Sequence, residues 1–246
     1  VMKEPLLVLG LGLCISSIIN YQLSIINLIK LILGVVIILF TKFFVLVCLF
    51  PALVAFVLFQ NHKNQIFVLL KYVIVTAIFL FVAFNIHSLI PQLNPQQMLV
   101  NKQMHSIKEA EYFKAGSRIE IPELKNDAAT ILKTATIGVW NTLTRPYFGE
   151  VKNGMMLLSA IENIIVLTFL IMFITSISWR NPKNMNLFLF LFTFSLVYFA
   201  LVGMCTPVLG NLVRYKTPLL PVFMFAFIIK VNPKAVAGSL DFLLRK

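Results

Sequence analysis

Charge is what this 246-residue chain has least of. Asp, Glu, Lys and Arg make up 12% of it, about half the share of a soluble domain. With 59% hydrophobic residues and a mean hydropathy of +0.92, that scarcity excludes a soluble globular enzyme and a disordered chain alike. Cysteine is scarce too. Cys14, Cys48 and Cys205 lie far apart in or beside apolar runs, with no C-x-x-C. They exclude a disulfide framework and read as small core residues. Other signatures are missing: there is no G-x-x-x-x-G-K-[ST] and no H-E-x-x-H, and Gly10-x-Gly12 lacks a third glycine. The glycine pair reads as close helix packing. His62, His87 and His105 are scattered, so no metal site and no cofactor is expected. Acidic residues number only nine against 21 basic ones, a net charge of +12. In so apolar a chain this excess fits basic cytoplasmic ends and anionic lipid rather than nucleic acid.

What the chain does have is long apolar runs. A bilayer core takes about 20 apolar residues as a helix, and the candidate spans are Pro5–Ile19, Lys42–Gln60, Ile66–Ser88, Met155–Ser178, Asn186–Gly203 and Pro218–Val231. Ser24–Phe40, broken only by Asn27 and Lys30, is either a further span or a helix along the interface. The run after Pro5 follows Lys3 but leads to no A-x-A site, so it reads as a first span or signal anchor rather than a cleaved leader. The expected fold is therefore all-α: a polytopic membrane protein with about six transmembrane helices (five to seven). Three regions follow: an N-terminal transmembrane region over 1–89, a polar insert over 90–153 and a C-terminal transmembrane region over 154–246.

The insert holds 8 Lys/Arg and 6 Asp/Glu in Ile90–Asn153. Asn94-Pro95 offers an N-cap and a proline at N1, and Gly116 closes that helix, predicted near Pro95–Ala115. A second helix is predicted over Asp127–Leu143, where Leu132, Thr136, Val139, Trp140 and Leu143 share a face. That face is expected to rest on the membrane surface with Trp140 at headgroup level. Orientation follows from the short loops and the tail. Lys63, Lys71, Arg180, Lys183, Lys230, Lys234, Arg245 and Lys246 fall on one side and its flanks, against Asp241 alone. The positive-inside rule makes that side cytoplasmic and the insert exterior.

Three places have the residues for chemistry. Glu162 lies about two turns into its span with Ser159 and Asn163 beside it, an intramembrane polar stripe. A carboxylate there is expensive and is either functional or paired to a cation that locks helices together. Arg145, pinned by Pro146 with Tyr147 and Phe148 following, sits where a guanidinium grips phosphate in two-pronged fashion, contacts headgroups or pairs with Glu150. Arg214 and Lys216 precede Thr217-Pro218, a natural N-cap and N1. Cations ahead of a helix N-terminus either bind an anion or anchor the helix end. Arg145, Arg214 and Lys216 are thus the anion or phosphate candidates. Glu162 is expected to pair with Arg214, with Arg145 near enough to share an anion.

Two of these segments resemble a known pattern. Arg145-Pro146-Tyr147-Phe148-Gly149-Glu150 with Leu157-Leu158-Ser159-Ala160-Ile161-Glu162-Asn163, and Gly210-Asn211-Leu212-Val213-Arg214-Tyr215-Lys216-Thr217-Pro218 with Pro221, resemble multi-spanning bacterial inner-membrane proteins of envelope polysaccharide and glycosyltransferase gene clusters, Bacteroidetes-like bacteria in particular. The second segment is also similar to multi-spanning glycosyltransferases that use lipid-linked sugars, but the loop preceding Lys42 lacks the carboxylate such enzymes carry there. The resemblance implies a component of envelope glycan assembly that handles a lipid-linked, phosphate-bearing intermediate at the outer face. Membrane lipid and a polyprenyl-phosphate-linked glycan are then its expected partners. The alternative is a non-catalytic, structural or accessory subunit of a larger membrane complex, with other membrane subunits as partners. A transporter is disfavoured by the lack of an internal repeat.

Overall fold

A computed structural model of the chain describes residues 3–19, 24–58, 64–90, 92–176 and 184–230. The basic residues Lys63, Arg180, Lys183, Lys234, Arg245 and Lys246, together with Asp241, lie outside the described residues.

The described residues are all-helical, with one isolated backbone bridge between Arg118 and Val208. In chain order the helices are α1 (Glu4–Ile19), α2 (Ile25–Leu58), α3 (Gln65–Leu89), α4 (Pro95–Tyr112), α5 (Ala128–Thr144), α6 (Gly154–Ser176), α7 (Met185–Cys205), α8 (Leu209–Lys216) and α9 (Leu220–Lys230), with a single 3₁₀ turn at Phe148–Glu150. Helices α2, α3, α6 and α7 are long and apolar enough to cross a membrane, and α8 with α9 makes a fifth candidate bent by 49°. Within α2 the helical path breaks at Lys42, whose φ of −151° and ψ of 88° are extended, so the apolar run Ser24–Phe40 forms a helical arm of its own ahead of residues 43–58.

Helix α7 is the hub. Phe190, Leu191, Phe194, Tyr198 and Phe199 on it are fully buried, packed against α2, α3, α5 and α9. Phe199, Phe223 and Phe227 stack edge to face, and Phe44 lies parallel to Tyr198 at 5.8 Å between ring centres. Tyr72 and Asn186 meet partners within this apolar body, as low dielectric favours, whereas the buried Ser195 Oγ has none among the described residues. The Tyr72 hydroxyl reaches Asn186 Oδ1 at 2.8 Å, and the Asn186 amide donates to Phe56 O.

The N-terminal hairpin alters the expected topology. Ser17 Oγ donates to Asn27 O, and Gly10 faces Gly34 so closely that a Cβ on Gly34 would stand 2.8 Å from Gly10 O. Helix α1 and residues 25–41 thus run antiparallel. Their open end brings Glu4 to Lys42 and Arg214, at the same end of the bundle as the insert. Lys3, next to Glu4, thus shares that end with the insert.

The insert forms its two helices: Asn94 caps α4 as predicted, α4 ends at Tyr112, short of Gly116, and Asp127, the predicted first residue of α5, is instead its cap. Asn94 Oδ1 accepts from Gln97 N, and Asp127 Oδ1 accepts from Thr130 N at 2.7 Å, which holds the Asp127 carboxyl below its ordinary range. Buried Gln103 staples the insert to the hub, donating to Pro122 O and Met204 O and accepting from Leu124 N. Helix α5 docks on the bundle by its small residues. Its buried side is Ile131, Thr134, Gly138, Asn141 and Thr142, while Leu132 and Trp140 point outward. Gly138 meets Gly203 backbone to backbone, and Thr142 Oγ1 donates to Phe199 O. The small residues let α5 descend antiparallel along the last turns of α7, instead of lying across the end of the bundle on its Trp140 face.

Candidate functional site

The C-terminus of α5, the middle of α6 and the bend between α8 and α9 converge on one polar layer. The last carbonyls of a helix have no intrahelical partner, and two of those of α5 are met from other helices. The Asn163 side-chain amide of α6 donates to Thr144 O. Lys216 Nζ, at the end of α8, donates to Arg145 O at 2.8 Å and to Asn163 Oδ1 at 2.9 Å. A cation beside the negative end of a helix is well placed. Lys216 is 5% exposed, Asn163 3%. Lys216 makes no ion pair among the described residues, so a buried ammonium is held by neutral oxygens alone. A small cleft of about 10 Å³ opens beside it, room for little more than one water. It is lined by Ser159, Glu162 and Asn163 from α6, and by Val213, Lys216 and Thr217 from the bent pair.

The other expected cations are engaged elsewhere. Arg145 Nη1 pairs with Glu150 Oε1 at 2.7 Å, while Glu150 Oε2 accepts from Tyr147 N. That pair fixes the turn leading into α6, and Thr144 Oγ1 and the Tyr147 hydroxyl, 2.7 Å apart, brace it. Arg214 points to the opposite side of α8. It donates through Nε to Glu4 Oε1 at 2.7 Å and through Nη2 to Oε2 at 3.3 Å. Lys42 joins this group, 3.6 Å from Glu4 Oε1 and 4.1 Å above the Tyr215 ring. The expected Glu162–Arg214 pair is therefore not formed. Arg214 and Lys216 lie two residues apart on a helix, about 200° around the axis, and face different neighbours. Glu162 is exposed at the rim of the Lys216 cleft.

So the structure brings Lys216, Asn163, Ser159 and Glu162 together, admits Arg145 through its carbonyl rather than its guanidinium, and sends Arg214 elsewhere. Sequence reading missed Glu4, Lys42 and Thr144. For Glu4 a signal was present: it is the sole carboxylate before Glu109, so any cation in the N-terminal region had one candidate partner. Thr144 gave none, because its carbonyl does the work.

Comparison with family models, with curated proteins and with solved structures finds no match to this chain.

Proposed function

We propose that the chain is a multi-pass integral membrane protein of a bacterial inner membrane, with the insert exterior and the 230 end of α9 cytoplasmic. There it serves envelope glycan assembly by handling a lipid-linked, phosphate-bearing intermediate at the outer face. Long apolar helices support the membrane reading, and the basic loop and tail residues support the orientation. The role rests on the resemblance of the Arg145–Asn163 and Gly210–Pro221 segments. The observation that carries it is that Lys216, from one segment, is a buried ammonium bonded only to Arg145 O and Asn163 Oδ1 from the other. Two of its three donors are used. The third, beside a cleft at the insert end of the bundle, is left for an anionic oxygen. Arg145 and Arg214 act as structural cations in this reading, since each already holds a carboxylate.

The test is thermal stability of the full chain in maltoside micelles with n-dodecyl phosphate titrated in. A saturable rise in Tm in the native chain, lost in Lys216→Met, is the expected result. No rise in the native chain defeats the phosphate reading.

A second reading, a non-catalytic accessory subunit, has its own observation. Arg145–Glu150 and Arg214–Glu4 are closed pairs and the cleft is narrow, while α3 and α6 turn broad apolar flanks outward. Those flanks suit lipid or a neighbouring membrane subunit equally well. Absence of any phosphate response, with a stoichiometric membrane partner retained through native purification, supports this second reading.

A further inference from the structure

We infer that the mouth of the cleft between α6 and the α8–α9 bend takes the head group of a zwitterionic phospholipid bearing a primary amine, one phosphate oxygen filling the water-sized space beside Lys216 and the ammonium lying outside it on exposed Glu162. The inference rests on the phosphate reading of Lys216 and adds a partner for Glu162. Glu162 and Lys216 line the same cleft from opposite helices without closing an ion pair. Glu162 is exposed on a helix whose outward residues Leu158, Ile161 and Ile165 are apolar. A carboxylate on such a flank is costly unless a cation meets it. Lys216 acts on Glu162 only across the cleft, without a hydrogen bond or ion pair to it, and the other described cations nearest this layer are committed: Arg145 to Glu150, and Arg214 and Lys42 to Glu4.

Charge then selects the ligand. A head group with phosphate alone satisfies Lys216 and is repelled by Glu162, and a lone cation meets the reverse. A phosphate joined to an ammonium satisfies both with no net charge brought in. A primary amine also donates hydrogen bonds to the carboxylate and to Ser159 Oγ, which a quaternary amine lacking N–H cannot do. Below the polar groups the cleft wall continues in Val166 and Leu220, and the bare face of α6 extends that apolar track for an acyl chain.

The experiment uses the full chain in maltoside micelles with phosphatidylethanolamine, phosphatidylglycerol or phosphatidylcholine added, read by native mass spectrometry and by Tm. The native chain should retain phosphatidylethanolamine about fivefold better than phosphatidylglycerol, the ratio that about 1 kcal/mol of ion pairing supplies, with phosphatidylcholine between them. Glu162→Gln, a change at an exposed side chain, should erase the preference and, by removing the carboxylate that repels a bare phosphate, strengthen the response to n-dodecyl phosphate. Equal retention by the native chain, with the dodecyl phosphate response intact, overturns this inference and spares the phosphate reading. Loss of the dodecyl phosphate response in the native chain overturns both.

Discussion

Helices α6 and α7 are nearly indistinguishable by hydropathy, with means of 2.4 and 2.3 over their most apolar stretches. Yet 11% of the α6 stretch is buried against 61% of the α7 stretch. In water such a difference would be written into the sequence as a polar face on the exposed helix. In a bilayer the solvent is as apolar as the core, so hydropathy finds a span without telling which way it faces. What separates the two helices is aromatic content, two phenylalanines on α6 against five and Tyr198 on α7, and where their small and polar residues meet neighbours. Helix α7 carries Gly203 and Ser195 where neighbours press in, whereas α6 touches the bundle through Asn163 and leaves Glu162 at the cleft rim.

The strongest way to break this contrast is to truncate one phenylalanine on each helix. Phe194→Ala should cost toward the low end of about 3–5 kcal/mol, since lipid rather than water is the reference for the lost apolar contact. Phe169→Ala on the outward side of α6 should cost less than about 0.5 kcal/mol. Unfolding in mixed micelles checks both, and equal losses would mean that α6 is covered by protein. Next is Gly203→Ala. Its Cβ would stand 2.0 Å from Gly138 O, so α5 must leave α7, and the loss should reach or exceed the upper part of about 1–3 kcal/mol. Gly12→Ala, where nothing lies within 4 Å of the added carbon, serves as the silent control. Third, Asn163→Leu strips partners from Thr144 O and from Lys216 and should cost about 1–3 kcal/mol. Smallest is Glu162→Gln, expected within about 0.5 kcal/mol of the native chain because the side chain is exposed and unpaired to protein. A large loss there would move Glu162 into the structural core of the site.

Much of the helix layout was legible. Asn94 announced the start of α4 by its short acceptor side chain, and the apolar runs placed α3, α6 and α7 to within a few residues. Three things were not legible, each for a physical reason. The docking of α5 on α7 uses Gly138 and Thr142 rather than the recognised Leu132–Trp140 stripe, and small residues that let backbones touch leave no apolar pattern to read. The Glu4–Arg214 pair joins residues 210 apart in the chain, a distance over which no local pattern operates. The ligands of Lys216 include the carbonyl of Arg145, and a carbonyl is present at every residue. The polar stripe Ser159, Glu162 and Asn163 was recognisable as unusual, but its division into a buried amide and an exposed carboxylate depends on how α6 is rotated against α9.

The contrast between α6 and α7 is tested most directly without any substitution, by reconstituting the native chain in vesicles, photolabelling from within the bilayer with a lipid-soluble diazirine and mapping the modified residues. The account predicts dense labelling along α3 and α6, Phe169 and Ile165 included, and almost none on α7 between Phe190 and Val202. Comparable labelling of α6 and α7 would contradict it.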